Sequence, residues 1–498
     1  MPDQHTPTAS VDSPDTVTTR GPGPRRTIGT LELAFFVVAA AGPLLVVAGI
    51  APLGIAFGGI SAPLAQLIAG IVLVIFAVGF TRLAVTVKLP GGFYAYIGKA
   101  LGRPLGGGAA LLATVMYSCS TISQAGIFGA FADAAVQRWT GADLPWYLYS
   151  FAIVALVGLL GYRQISLSAK VLGVALIAEI GVLLVLAVPV ILTGGGPDGL
   201  TVDPFEPSNL VTSAGIGAML VIAFSGFIGF ESTTIYAEET KNPTRTIPRA
   251  TLIAVGFLAV FYAFMIWVGV VAFGAAGAID VATNSPTEMM FIATEQYAGK
   301  PAAEAMEALL LTSTLAAILS FHNAAARYYA TMGRERLLPA RLAARHPRHG
   351  SPTAASLLLT GLSVVVVVVF AVAGLDPYLN LFLWVGGWPI LSVTLLQALC
   401  SVAVIVYYRR WPSAKTSLWS SLIAPTIAAT ALGIAAVLMV ENFDILTAAS
   451  STVNAVILSV IPATFLGGVV ITLVMRTRHP ERYAAMLQDQ HHGAPGED

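Results

Sequence analysis

Residues 224 to 243 read FSGFIGFESTTIYAEETKNP. An apolar run is interrupted by Gly226 and Gly229, reaches a carboxylate at Glu231, and ends in Glu238, Glu239, Lys241 and the Asn242-Pro243 stop. Glycine lowers the cost of non-helical dihedrals, so a helix is expected to break at Gly226 and Gly229. A break frees backbone N–H donors on one side and C=O acceptors on the other. A small zwitterion needs both: donors for its carboxylate and acceptors for its ammonium. A second interrupted run, FFVVAAAGPLLVVAGIAPLGIAFGG, carries Pro43, which has no N–H and clashes with the preceding turn. The break there is expected near Ala40–Pro43. The alternative for either run alone is that Gly and Pro are simply common in membrane helices.

Acids inside apolar sequence are the other candidates. A carboxylate within a membrane is costly and marks function by default. Glu231 lies just past the second break, and either carries a proton or is a neutral acid bonded to a neighbouring helix. Glu179, in KVLGVALIAEIGVLLVLAV, is nine residues from the nearest other charge, Lys170. It either carries a coupling proton, holds a cation, or makes an interhelical hydrogen bond. The cluster YSCSTISQ places Tyr117, Ser120 and Gln124 toward a bundle interior, as cavity lining or as packing glue. His322 and Asn323 are read the same way, a lone membrane His being more often hydrogen-bonded structure than a proton relay. Trp384 and Trp388 flank a Gly pair and are further lining candidates. Cys119 and Cys400 sit in apolar segments and read as small buried hydrophobes.

The elements that must position these residues follow from composition. The 498 residues are 56% hydrophobic and 10% charged, with mean hydropathy +0.80. Soluble domains carry about 25% charged residues, so most of this chain does not face water. Net charge is +0, and no clustered basic surface suggests a nucleic-acid partner. A spanning helix needs roughly 20 apolar residues. Such runs fall near 31–57, 62–86, 104–136, 146–163, 168–192, 211–237, 249–274, 302–332, 353–374, 378–408, 418–440 and 450–475. The eighth runs on into RYYATMGRERLLP, where a helix projecting from the membrane is expected to stop at Pro339.

Twelve spans put both termini on one side. On that count, 24 of the 26 Lys and Arg residues fall on the side of the termini, leaving Arg138 and Lys300. The positive-inside rule makes that side the cytosol. The outer loops carry acids instead, among them Asp198, Asp203, Glu288 and Asp376. Residues 1–27 have the composition of a disordered cytosolic tail, the transporter domain runs over 28–475, and 476–498 is a second tail. The expected class is an all-α polytopic membrane protein of the cytoplasmic membrane, with the bilayer and a small molecule as partners. Five helices separate the two broken spans, so a repeat of five would be inverted in the membrane, the pattern of secondary transporters. No metal-ligand spacing, phosphate-binding loop or nucleophile elbow is present, which argues against an ATP-driven pump and an enzyme.

FSGFIGFESTTIYAEETKNPTRTIPRA resembles the sixth-helix signature of the amino acid–polyamine–organocation permeases. LPGGFYAYIGKALGRPLG and AARYYATMGRERLLPARLAARHPRHGSPTAA are similar to their second-helix and eighth-helix regions. The resemblance covers about residues 30 to 410. It implies a five-plus-five inverted repeat with helices 1 and 6 broken (repeat one about 31–192, repeat two about 211–408), plus two C-terminal helices over about 418–475. Backbone groups at Ala40, Ala41, Gly42 and Leu44 would then hold a substrate carboxylate, and the carbonyls of Phe224, Ser225 and Phe227 around Gly226 its amine. It implies secondary active transport of amino acids, with no cofactor and a proton gradient as energy source. An exchanger or a polyamine and organic-cation carrier is the alternative in the same fold. A transport-like sensor or a channel is the alternative outside it. Two departures bear on the site. AAAGPL replaces the family's Gly-x-Gly-type turn, which weakens or moves carboxylate recognition. Ser225 stands where many members have an aromatic, which leaves more room.

Overall fold

The computed structural model describes residues 28–87, 92–163, 169–231, 233, 240–347, 350–412 and 416–487. The expected tail over 1–27 and the pair Glu238 and Glu239 lie outside these residues. Among the described residues, nine helices are long and apolar enough to cross a membrane. Three further apolar helices are shorter: Thr30–Ala39, Trp146–Tyr162 and Ile216–Ser225. One of the nine, Leu45–Val87, turns at Gly59 (φ 77°) and so holds two helices. The class is therefore an all-helical, polytopic membrane protein.

In chain order the elements that matter here are α1 (Thr30–Ala41), a π-helical segment (Leu45–Ile50) leading into α2 (Ala51–Gly58), and α3 (Ala62–Val87). Then follow α4 (Phe93–Leu101), α5 (Arg103–Thr140), α6 (Trp146–Tyr162), α7 (Ala169–Leu192), α8 (Pro207–Val211) and α9 (Ile216–Ser225). The second part holds α10 (Pro243–Asn284), α11 (Met289–Ala298), α12 (Lys300–Arg334), α13 (Thr353–Val372) and α14 (Leu383–Arg410). The last elements are α15 (Ala424–Glu441), α16 (Phe443–Thr447), α17 (Ser451–Arg478) and α18 (Pro480–Ala485).

These elements pack as two groups. The broken segments α1, α2 and α9 lie with α3 and α10; α5, α6, α12 and α13 form the second group, against which α7 and α14 pack. At the start of the described chain, Ile28 forms an isolated parallel bridge with Thr240, and Lys241 N–H donates to Ile28 O at 3.1 Å. The entry to α1 is thus tied to the segment that leads into α10. Long rows of apolar side chains remain outside: Val365, Val369 and Val372 on α13, and Val456, Leu466 and Val470 on α17. A water-soluble surface of this kind would aggregate; a hydrocarbon solvent accepts it.

The loop after α7 docks on α10. Gly196 N–H donates to Val271 O at 2.8 Å, Trp267 Nε1 to Thr201 O at 2.8 Å, and Ala275 N–H to Asp198 Oδ2 at 2.6 Å. The last of these caps the helix just past the kink at Gly274. Helix α12 stops at Arg334, short of the expected Pro339. Arg336 takes a left-handed conformation (φ 60°), and Leu337 N–H reaches back to Met332 O at 2.9 Å, closing the helix with its own carbonyl. The expected tail from 476 begins as structure, because α17 continues to Arg478 and α18 follows.

Small residues set the closest helix approach. A Cβ on Gly468 of α17 would lie 2.4 Å from Gly107 O of α5, and one on Gly107 would lie 1.9 Å from Thr472 Oγ1. Backbones approach this closely only at glycine. Gly468→Leu is therefore expected to destabilise the fold by about 1–3 kcal/mol through overpacking. Gly433→Leu, where nothing lies within 4 Å, is expected to be near neutral. Thermal unfolding of both variants in detergent checks the pair, and equal midpoints would contradict the packing account.

Candidate functional site

The first break is at Gly42. Helix α1 ends at Ala41, and Gly42 takes φ 59° and ψ 68°, with its N–H donating back to Ala39 O at 3.3 Å. The left-handed region costs other L-residues roughly 1–2 kcal/mol, which is why glycine stands there. Helix resumes at Pro43. In the first turn the missing proline N–H has no intrahelical partner to lose, so Pro43 restarts the helix. The freed donor is Leu44 N–H. It donates to Glu179 Oε2 at 3.2 Å, across 135 residues of sequence. Glu179 comes from α7 and is buried. Ser313 of α12 closes the corner: a Cβ on Gly42 would stand 3.1 Å from its Oγ. Ser313 Oγ lies against the same carboxylate without a well-formed hydrogen bond. Among the described residues Glu179 is in no ion pair.

The second break follows α9. Ser225 ends the helix, and Gly226 keeps near-helical angles (φ −63°, ψ −10°). The left-handed residue is Gly229, at φ 108°. Its N–H donates to Glu231 Oε2 at 3.0 Å, while Glu231 Oε1 accepts from the Tyr117 hydroxyl of α5. A Cβ on Gly229 would meet nothing within 4 Å among the described residues. The carbonyls of Phe224, Ser225 and Phe227 accept turn bonds from Phe227, Ile228 and Phe230 at 3.1, 3.2 and 3.4 Å. Phe224 O also accepts from Gly226 N–H. Ser225 Oγ is turned onto Ile222 O at 2.6 Å.

The two breaks adjoin. A Cβ on Gly226 would lie 2.8 Å from Val46 Cγ1, in the π-helical segment just past the first break, and 3.4 Å from Gln66 Nε2. The Phe227 ring packs 5.9 Å from the Tyr262 ring. Among the described residues, Gln66 Nε2, Tyr262 OH and Ser313 Oγ are buried without a hydrogen-bond partner. Sequence reasoning did not single out these three. Gln66 and Tyr262 are the polar exceptions in the apolar runs APLAQLIAG and VFYAFMIW, which was the available signal, whereas Ser313 sits between Thr312 and Thr314 in LLLTSTLAA.

The remaining sequence candidates separate. Tyr117 adjoins the second break through Glu231, its ring tilted against those of Phe321 and Tyr328 of α12. Ser120 donates to Met116 O of its own helix, and Gln124 Oε1 is buried without a partner. His322 bonds Ser356 of α13 through Nε2 at 2.8 Å and occupies the room left by Gly161 of α6. It therefore joins α12, α6 and α13, away from both breaks, with half-buried Asn323 next to it. Trp384 donates to Thr447 O at 2.8 Å and lines an apolar groove of about 290 Å³ with Phe370 and Val453 of the periphery. Trp388 Nε1 is buried without a partner. Ala40 and Ala41 close α1 at the break. Cys119 and Cys400 are free thiols, half-buried and buried.

A polytopic membrane protein with two adjoining helix breaks, each amide held by a buried acid, is built around a polar interior. The amino acid permease family model matches residues 34–482, and the chain belongs to that family. It is 24% identical over 298 residues to the branched-chain amino acid permease BcaP of Bacillus subtilis, covering 56% of this chain and 61% of the relative. It is 26% identical over 326 residues to the amino-acid permease RocC of the same organism, covering 61% and 65%. A high-affinity methionine permease of Saccharomyces cerevisiae is 26% identical over 226 residues, covering 44% and 38%. The chain thus matches less than two thirds of the length of each of these relatives.

Because Tyr117 and the Gly229 amide share one carboxylate, their effects should be coupled. Tyr117→Phe is expected to cost about 1–3 kcal/mol by withdrawing a donor from a buried acid. In the Glu231→Met background, where no oxygen faces the hydroxyl, the same change is expected to cost markedly less. A double-mutant cycle on the unfolding midpoint measures this, and strict additivity would show that the bond carries no energy.

Proposed function

We propose that the protein is a secondary active transporter of amino acids, working by alternating access and driven by the proton gradient. On this reading it has twelve spans, a five-plus-five inverted repeat with two C-terminal helices, and both termini in the cytosol of a cell whose cytoplasmic membrane it crosses. Family membership supports amino acid transport in a membrane and supports a transporter rather than an enzyme. The relatives are named for branched-chain amino acids and methionine. Names so different in side chain support the class of substrate and no single member of it.

The observation that carries the reading is the capped first break. A substrate carboxylate needs Leu44 N–H, and Glu179 now accepts that bond at 3.2 Å. An ionised Glu179 competes with the substrate for the donor and repels it. A protonated Glu179 is a poorer acceptor and releases the donor. Proton binding and carboxylate binding therefore favour one another, and by linkage the coupling is reciprocal. The substrate ammonium would rest on the carbonyls of Phe224, Ser225 and Phe227. Glu231, bonded to Tyr117 and the Gly229 amide, is the second proton-coupling candidate.

A second reading rests on the same bond. With its donor already occupied by an acid, the first break presents negative charge, which favours an amine or polyamine without a carboxylate. Purified protein in liposomes, given labelled amino acids, their decarboxylated amines and an imposed pH gradient, separates the two. The expected outcome is uptake of amino acids accelerated by an inward proton gradient, with loss of that acceleration in Glu179→Gln. Retention of the full pH response in that variant would remove Glu179 from the coupling, and uptake confined to amines would favour the second reading.

A further inference from the structure

We propose that Arg138, Glu288 and Glu307 form the latch of an outer gate, an inference that rests on the alternating-access reading. The cluster lies far from the face where the C-terminal segment docks. Arg103, at the start of α5, donates to Ala484 O at 2.9 Å and to Met486 O at 3.1 Å. Arg138 is near the other end of the same helix, about 52 Å away at 1.5 Å per residue. There its two terminal nitrogens take one carboxylate each: Nη1 pairs with Glu307 of α12 and Nη2 with Glu288, the residue preceding α11. The Trp139 indole donates to the other oxygen of Glu307 at 3.1 Å.

One guanidinium thus ties α5 to both ends of a distant stretch, the residue before α11 and the helix α12 that follows it. Glu307 is 5% exposed and Arg138 and Glu288 about a third exposed, so the latch is half in water. Opening would hydrate all three charges, and the cost of separation is therefore smaller than for a fully buried pair. A gate requires such a contact: strong enough to close, weak enough to open.

What lies beneath the cluster fits a gate. Glu288 and Glu307 roof a cavity of about 10 Å³ lined by Phe131, Ala134, Phe291 and Leu310. Under it Phe131 meets Phe291 edge-on at 6.1 Å and Tyr378 edge-on at 6.0 Å. The Tyr378 hydroxyl donates to Gly49 O at 2.8 Å, and Gly49 belongs to the π-helical segment that begins just past the first break. A Cβ on Gly49 would stand 3.4 Å from Phe131. Ionic latch, aromatic layer and broken segment are stacked in contact, so the route from this face to Leu44 is shut in two tiers. The lone outer Arg of the charge pattern has its function here.

The test uses the full chain with Cys119 and Cys400 replaced by serine and a single cysteine introduced at Ala134. A membrane-impermeant thiosulfonate is applied to intact cells and, separately, to inverted vesicles. Arg138→Gln is expected to raise the labelling rate at least tenfold in intact cells and leave it unchanged in inverted vesicles. Glu288→Gln, which preserves the pair with Glu307, is expected to raise it a few-fold and serves if Arg138→Gln fails to fold. Unchanged labelling in a folded variant, or a rise only in inverted vesicles, would overturn the latch. Labelling needs no substrate, so faster labelling without amino acid uptake would leave the latch standing and the transport reading fallen. Uptake with unmoved labelling would do the reverse.

Discussion

Two peptide N–H groups, at Leu44 and Gly229, govern how this fold is arranged. In hydrocarbon a backbone donor without an acceptor costs several kcal/mol. Continuous helices avoid the problem by bonding every amide internally. This chain interrupts two helices with left-handed glycines and then supplies a carboxylate to each freed amide. Glu179 has to be carried to the first break by a helix from elsewhere in the sequence, so α7 must pack against α1. Glu231 lies in the second break's own segment, but its other oxygen draws Tyr117 and hence α5 to the same place. The positions of α5 and α7 around the broken segments follow from these bonds as much as from apolar packing.

The two breaks also constrain one another. Val46 and Gly226 are in contact, and a single Cβ at Gly226 would push them apart. At the start of the described chain, the bridge between Ile28 and Thr240 joins the segment before α1 to the one before α10. The broken segments are therefore linked both at the interruption and at an end. A separate contact, His322 with Ser356, joins α12 to α13.

Local signals made part of this legible. Gly and Pro within apolar runs announce interruptions, because their backbone effects do not depend on the rest of the fold, and the breaks are at Gly42 and Gly229. The position of the second break within FSGFIG was less legible. Gly226 was an equal candidate by type, and only packing against Val46 gives it a helical conformation and leaves the left-handed one to Gly229. Pairings across long sequence separations were not legible at all. Nothing in KVLGVALIAEIGVLL says that its acid will meet Leu44. Nor does the exceptional outer Arg138 announce Glu288 and Glu307 as its partners. The stop at Arg334 was missed for a related reason: Arg336 adopts a left-handed turn usually signalled by Gly or Asn.

The caps change what the resemblance to permeases implies at this site. Bare helix ends were expected to meet a zwitterion with dipoles alone. The structure instead places a protein acid in the seat of the expected ligand acid at the first break, since Glu179 holds the donor assigned to a substrate carboxylate. At the second break, Glu231 holds an amide, and the carbonyls of Phe224, Ser225 and Phe227 accept turn bonds from their own segment. On the proposed reading an anion would reach the first break only by displacing Glu179 from Leu44 N–H, so its binding would alter the contact between α1 and α7.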